Sequence, residues 1–319
     1  MQHGALVYNR TKCSTHQILS RSFPNRAMSK STANGTSNRL RVLMLHGYTQ
    51  SGPLFHAKTR ALEKNLNKAF PSGIELIYAT GPLRIRPADI PGFLNPNGES
   101  SSASHGTGDQ DSRSEEKSDE ESDCWGWWIR KGDSEPFTYW GMEDGLARVA
   151  ETLKSSGPFD GVIGFSQGGA LAGMVASLLE AGRREAFASC QEKGGMAYPT
   201  SFEEDTGYVT DVVHPPLKFA VSYSGFGAST NPLYQGYYTP PISTPMLHFI
   251  GSVDTVVEEK RSLRLVDACV DGRGRDGRKV VYHPGGHFLP SSQKQYVAAL
   301  VGFIRESLGW LEENNRIDS

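Results

Sequence analysis

The stretch that most constrains the fold of this chain is residues 159–170, with the sequence F-D-G-V-I-G-F-S-Q-G-G-A. The apolar run before the serine predicts a buried strand, and the small and apolar residues at 167–181 predict a helix. Ser166 then lies on a sharp strand-to-helix turn between Gly164 and Gly168, the arrangement called a nucleophile elbow. A tight Gly-Ser turn in an α/β protein is the alternative, and the rest of the chain has to decide between the two.

Composition excludes several classes of protein. The 319 residues carry a formal net charge of −2, so no strong electrostatic attraction to nucleic acid is expected. No apolar run approaches 18 residues, so we predict no membrane span. The four cysteines are scattered and read as reduced intracellular thiols rather than disulfides or a metal site, and we predict no metal and no cofactor; they are Cys13, Cys124, Cys190 and Cys269.

The first 39 residues differ from the remainder, since they contain six basic residues and no acidic one. An Arg- and Ser-rich start without acidic residues resembles an organelle transit peptide. The alternatives are a disordered leader, or sequence upstream of a start at Met28. We expect a cytoplasmic protein, with a nuclear pool as a further location and mitochondrial import through residues 1–39 as the less favoured alternative.

Beyond the leader, short apolar runs alternate with amphipathic stretches. Strands are predicted at 42–45, 74–78, 161–165, 217–223, 246–250 and 279–282, and helices at 55–70, 143–155, 167–181, 258–269 and 293–310. Repeated βα units with nearly continuous apolar strands indicate a mostly parallel, doubly wound sheet with helices on both faces. We therefore predict a single α/β domain over residues 40–312, followed by a tail at 313–319.

We expect this domain to carry disordered insertions. The first, at 99–123, has nine acidic residues and no Phe, Trp or Tyr, so it cannot bury enough apolar surface to order itself. The second, at 183–216, is polar and contains Gly and Pro, and its sequence pattern predicts no particular element.

Polar groups from four segments follow predicted strands and meet at one edge of such a sheet. Ser166, Asp254 and His287 occur in the Ser, Asp, His order of α/β-hydrolases. In that arrangement the histidine takes the serine proton and the aspartate orients the imidazole. The backbone N–H groups of Gln167 and Tyr48 are the predicted donors to the oxyanion. The competitors are His248 and His283, assigned to strands, and Asp267 and Asp271, assigned to a helix and to an unrelated loop.

An aromatic segment around residues 125–140 contains four of the five tryptophans. Core packing is one interpretation of it. The other is an acyl pocket near the serine, because such pockets are mostly apolar and aromatic. The residues predicted for that pocket are Trp125, Trp127 and Phe226.

Together these motifs resemble the FSH family of serine hydrolases, which includes the human protein named for ovarian cancer association. The resemblance rests on L-H-G-Y-T-Q-S-G at 45–52, G-F-S-Q-G-G at 164–169, G-S-V-D at 251–254 and G-G-H at 285–287. It implies an α/β-hydrolase fold and cleavage of small-molecule acyl esters or thioesters through an acyl-enzyme. For fungal members it also implies release of an acyl or polyketide chain from a carrier protein, which makes an acyl-carrier domain a candidate partner.

Two hypotheses from other classes compete with hydrolysis. A hydrolase scaffold can serve as a non-catalytic ligand-binding protein, since a fold alone never proves activity. Nucleotide binding by a Gly-rich turn is disfavoured, because the chain lacks both G-x-G-x-x-G spacing at the serine turn and any G-K-[ST].

Overall fold

The computed structural model describes residues 39–86, 123–205, 210–270 and 279–309. The predicted leader, the acidic insertion and the tail lie outside these ranges, apart from Arg39 and Asp123 at their ends. The strands are β1 (Leu40–Leu45), β2 (Ile74–Ala79), β3 (Leu83–Arg84), β4 (Trp125–Gly126), β5 (Ile129–Lys131), β6 (Thr138–Trp140), β7 (Gly161–Phe165), β8 (Glu203–Asp205), β9 (Thr210–Val212), β10 (Phe219–Tyr223), β11 (Met246–Gly251) and β12 (Val280–His283). The helices are α1 (Gly52–Ala69), α2 (Met142–Ser156), α3 (Gln167–Leu178), α4 (Arg183–Gln191), α5 (Glu259–Asp267) and α6 (Lys294–Ser307).

Six strands form the central sheet in the order β12-β11-β10-β7-β1-β2, and every neighbouring pair is parallel. Side chains alternate across a strand, so one face receives Leu43 and Leu45 and the other receives Val42 and Met44. Both faces are buried under helices, which is why the strands are apolar at nearly every position. The predicted α/β-hydrolase fold with a doubly wound parallel sheet is confirmed.

Helix α1 shows how sequence sets one of these layers. Ser51 caps its N-terminus by accepting a hydrogen bond from the Leu54 N–H at 3.2 Å. Its buried side chains, among them Phe55, Leu62 and Leu66, recur at helical spacing and pack with α6 on one face of the sheet. Helices α2 and α3 cover the opposite face. In the part of the chain that the structure describes, no helix is long and apolar enough to cross a bilayer.

The second insertion, expected to be disordered, is ordered wherever the structure describes it. It contains α4 and the antiparallel pair β8 and β9. Phe187 and Phe202 are completely buried, and the Tyr198 hydroxyl donates to the Leu178 carbonyl at 2.7 Å. The expectation was wrong because these three aromatic rings anchor the segment to the core, although their spacing follows no regular period.

A small ladder holds the two flanks of the unassigned range 87–122 side by side. Leu83 pairs with Gly126 and Arg84 with Trp125 in antiparallel register. The Ile85 N–H extends this pairing by donating to the Cys124 carbonyl at 2.8 Å. The two described ends of the chain on either side of this range therefore lie at neighbouring points of the domain.

Candidate active site

Ser166 sits between the end of β7 and the start of α3, with φ 55° and ψ −117°. A non-glycine residue rarely has a positive φ, and such strain persists only where the surroundings fix it. Here the Ser166 N–H donates to the Tyr223 carbonyl on β10 at 2.7 Å. A Cβ at Gly164 would lie 1.9 Å from the Gly168 carbonyl oxygen, so the close strand-to-helix turn requires glycine there. Ser166 therefore lies on a sharp strand-to-helix turn, the local structure that the sequence predicted for it.

Three side chains from separate loops form one hydrogen-bonded line. His287 Nε2 lies 2.9 Å from Ser166 Oγ, and His287 Nδ1 lies 2.8 Å from Asp254 Oδ2. Burial by itself raises the pKa of Asp254, but hydrogen bonds from His287 and from the Val257 and Val256 amides outweigh it and hold the pKa below its usual range. An ionised carboxylate only accepts hydrogen bonds, so His287 Nδ1 carries a proton and Nε2 is free to accept the serine proton.

The competing residues lie elsewhere. His283 ends β12 with its ring packed against Phe288 and Tyr296, at centroid distances of 4.8 and 5.9 Å. His248 is buried within β11, and burial lowers its pKa to about 3. Asp267 ends α5, as expected, and Asp271 lies outside the described residues. The histidine and aspartate that the structure brings to the serine are the two chosen from the sequence.

The loop after β1 passes beside the serine. A Cβ at Gly47 would lie 3.3 Å from the Ser166 Cβ, and Thr49 turns the chain with φ 65°. Tyr48 lies within this turn. Gln167 is the first residue of α3, where backbone N–H groups have no acceptor within the helix. The two amides predicted as oxyanion donors therefore lie on segments that flank Ser166.

His46 fixes the base of that loop. Its Nδ1 lies 2.8 Å from the Gly47 carbonyl oxygen, and its Nε2 accepts the Gly81 N–H at 2.9 Å. The ring is completely buried, and burial lowers its pKa to about 4, although the Gly47 hydrogen bond acts in the opposite direction. His46 is therefore neutral at neutral pH, as its acceptor role at Nε2 requires.

The aromatic segment braces the site and does not line it. The Trp127 N–H donates to the Gln167 side-chain oxygen at 2.8 Å, and the Gln167 amide donates to the Trp128 carbonyl at 2.8 Å. The Trp127 indole N–H donates to the His46 carbonyl at 2.9 Å. One segment thus ties the start of α3 to the loop after β1. The sequence did not predict this function of Gln167 and His46, because nothing near either residue in the sequence indicates which distant residue it contacts.

The predicted pocket needs correction. Trp127 has no exposed surface, since it fills the space behind the loop after β1. Phe226 is buried against Arg261, whose guanidinium lies 4.3 Å from the ring centroid. The Trp125 indole is turned to Asp123, to which it donates a hydrogen bond at 2.8 Å.

The cavity beside His287 has other walls. Its volume is about 170 Å³. Its lining comes from the loop after β1, from α1, from the last residue of β7 and from the residues that follow His287, namely Gln50, Phe55, Lys58, Thr59, Phe165, Phe288 and Leu289. None of the three predicted pocket residues belongs to this set. Their aromatic character indicated burial, but burial in the core and burial in a pocket look alike in a sequence.

A parallel sheet with a hydrogen-bonded serine, histidine and aspartate at its carboxyl edge, in the chain order Ser, Asp, His, defines an α/β-hydrolase. Comparison with known protein families agrees with this class, since the family model described as Serine hydrolase (FSH1) matches residues 36–299. The chain belongs to this FSH1 family of serine hydrolases. The resemblance identified from its motifs is confirmed.

Individual relatives are similar over most of their length. Family of serine hydrolases 2 of Saccharomyces cerevisiae is 30% identical over 272 residues, which cover 85% of this chain and 97% of that protein. Esterase OVCA2 of Danio rerio is 31% identical over 260 residues, covering 79% and 91%. Among solved structures, acyl-protein thioesterase 2 of Zea mays has a TM-score of 0.47 at 20% identity, covering 84% of this chain and 95% of that one.

Proposed function

We propose that this serine hydrolase cleaves carboxylic esters or thioesters of acyl chains through a covalent intermediate on Ser166. The observation that carries the proposal is the unbroken line from Ser166 Oγ through both His287 nitrogens to the Asp254 carboxylate, at 2.9 and 2.8 Å. A serine hydroxyl becomes a useful nucleophile only beside a base that removes its proton. The name esterase, given to a relative 31% identical to this chain, supports an ester as the substrate.

In the first half of the reaction, Ser166 Oγ attacks the carbonyl carbon while its proton passes to His287 Nε2. Asp254 stabilises the resulting imidazolium and keeps the ring in position. The tetrahedral oxyanion accepts hydrogen bonds from the backbone N–H groups of Gln167 and Tyr48. Collapse of this intermediate breaks the bond to the alcohol or thiol, which leaves with the proton held by His287. The acyl group remains as an ester on Ser166.

In the second half, His287 takes a proton from water as the water oxygen attacks the acyl-enzyme carbonyl. Collapse releases the carboxylic acid and returns the proton to Ser166 Oγ. The neutral form of His287 starts both halves, and Asp254 supports that form by accepting its Nδ1 proton. No cofactor takes part in either half of the proposed reaction.

Labelling with a fluorophosphonate probe tests the proposal and separates it from a ligand-binding role. The wild-type protein is expected to react covalently and to hydrolyse p-nitrophenyl esters, whereas Ser166→Ala does neither and keeps its melting temperature. Ser155→Ala, which changes an exposed serine at the end of α2, is the matched control. Equal labelling of Ser166→Ala and wild type would refute the assignment of the nucleophile. A wild type that neither labels nor hydrolyses would favour the binding protein.

A further inference from the structure

The cavity beside His287 has an apolar interior. Phe55 on α1, Phe165 at the end of β7, and Phe288 and Leu289 after the histidine provide most of its wall. Phe165 lies close under the histidine, with a centroid distance of 5.0 Å between the two rings. The cavity therefore lies directly against the imidazole ring of His287, which contacts Ser166.

Among the described residues that line this cavity, Lys58 is the only lysine or arginine. Phe55, Lys58 and Thr59 are spaced i, i+3 and i+4 on α1, so they share one face of the helix. The Thr59 hydroxyl is already engaged, since it donates to the Phe55 carbonyl at 2.8 Å and lies 2.7 Å from the Tyr78 hydroxyl. Among the polar groups that α1 presents to the cavity, Lys58 is therefore the one available to a ligand.

Lys58 has no anionic partner among the described residues. Lys218 and Lys260 do have such partners, since Lys218 pairs with Asp160 at 2.7 Å and Lys260 with Glu258 at 2.7 Å. Lys58 differs from other exposed lysines, such as Lys64, in its position at the cavity. Glu63, the only acidic residue within α1, lies 2.8 Å from His56 Nε2. A cavity that has an unpaired ammonium in its wall matches a ligand that carries a negative charge.

We propose that the leaving group of the substrate is an alcohol or thiol that carries a phosphate, and that Lys58 binds this phosphate. The inference rests on the proposed function, in which His287 protonates the leaving group. We assign this cavity to the leaving group because His287, which protonates that group in the proposed reaction, is part of the cavity wall. Lys58 then acts as a specificity-determining residue that contributes to binding.

Two pairs of substrates test this inference and distinguish the sources of the phosphate. The first pair is S-acetyl-pantetheine and S-acetyl-4′-phosphopantetheine, and the second is the acetyl ester of glycerol and that of glycerol 3-phosphate. In at least one pair we expect kcat/KM to be about tenfold higher for the phosphorylated member, mainly through a lower KM, because the charge contact is the same in ground and transition states. The preference is expected to shrink at 0.5 M salt, since an exposed charge is screened.

The variants isolate the contribution of Lys58. Lys58→Gln is expected to reduce the ratio between the members of the preferred pair to about one, and Lys58→Glu to invert it. Lys64→Gln, at an exposed position on the same helix that is not part of the cavity lining, is the control and should keep the tenfold ratio. No preference in either pair, or a preference that survives Lys58→Gln, overturns the inference.

Binding by an inactive protein separates this inference from the catalytic proposal. Calorimetry with Ser166→Ala compares pantetheine with 4′-phosphopantetheine, and glycerol with glycerol 3-phosphate, so that turnover is not needed. Tighter binding of a phosphorylated member that depends on Lys58 supports the anion site even if the enzyme hydrolyses none of the esters. In that case the proposed function fails and the site stands. Equal binding of both members in each pair overturns the site.

Discussion

Replacing Gln167 by leucine tests the brace between α3 and the aromatic segment. Leucine has a similar size but makes no hydrogen bonds, so the change leaves the Trp127 N–H and the Trp128 carbonyl without the partners that now lie 2.8 Å away. All three residues are buried. A buried polar group left unsatisfied costs about 1–3 kcal/mol, so two such groups should lower the free energy of unfolding by about 4 kcal/mol.

For a domain of this size, each kcal/mol corresponds to about 2–4 °C, so the melting temperature should fall by about 10 °C. Urea unfolding monitored by tryptophan fluorescence gives the free energy directly, and Trp127 and Trp128 themselves report on the brace. Gln191→Leu, at an exposed position in the last turn of α4, is the control. A free energy of unfolding within 1 kcal/mol of wild type for Gln167→Leu would refute the claim that this side chain supports the site.

Three further predictions concern the same region. Asp254→Asn should lower kcat/KM at least a hundredfold. The double variant Asp254→Asn/His287→Ala should lose no more activity than His287→Ala alone, because these residues act as a unit. Steady-state kinetics in which the two losses multiply would contradict this prediction. The pKa of His46 is lowered to about 4, so the unfolded chain binds a proton that the folded protein does not between pH 6.5 and 4. The stability that this group contributes is present above pH 6.5, and the free energy of unfolding should decrease by about 2 kcal/mol from pH 7 to pH 4.5 because of it. Urea unfolding at pH 7 and at pH 4.5 should show a smaller decrease for His46→Gln than for wild type. The same decrease in both proteins would contradict the prediction. Gly168→Ala would place a Cβ 2.1 Å from a backbone oxygen, whereas Gly302→Ala on α6 meets nothing within 4 Å. The first should lower the melting temperature by several degrees and the second should leave it equal or higher; the reverse order would show that the elbow tolerates a methyl group.

The sheet and the three hydrogen-bonded residues were predictable because each is specified locally. Strands covered on both faces need continuous apolar runs, and Ser166, Asp254 and His287 each follow such a run. Parallel strands place their carboxyl ends at one edge, so chain order alone brings these residues together. The elbow glycines followed from the same reasoning.

What could not be predicted depends on contacts between distant segments. The Gln167 amide meets residues about 40 positions earlier in the chain, and His46 meets Gly81 and Trp127. Trp127 was assigned to a pocket because its hydrophobicity is the same whichever surface it buries. Lys58 was overlooked because an exposed lysine on an amphipathic helix looks like ordinary solvated surface until the cavity beside it is seen.

The pairing of β3 with β4 provides a position at which an additional domain can be inserted into this protein. The chain at Ile85 and Cys124 is held together by a 2.8 Å hydrogen bond, so the sequence between these points closes a loop whose ends are already fixed. Doubling the length of such a loop costs only about 0.6 kcal/mol. Trp125 also pairs with Gln50, a residue of the cavity wall, through a backbone hydrogen bond of 3.1 Å. A domain inserted at this position would therefore be connected, through the paired backbones of Trp125 and Gln50, to the wall of the cavity beside His287.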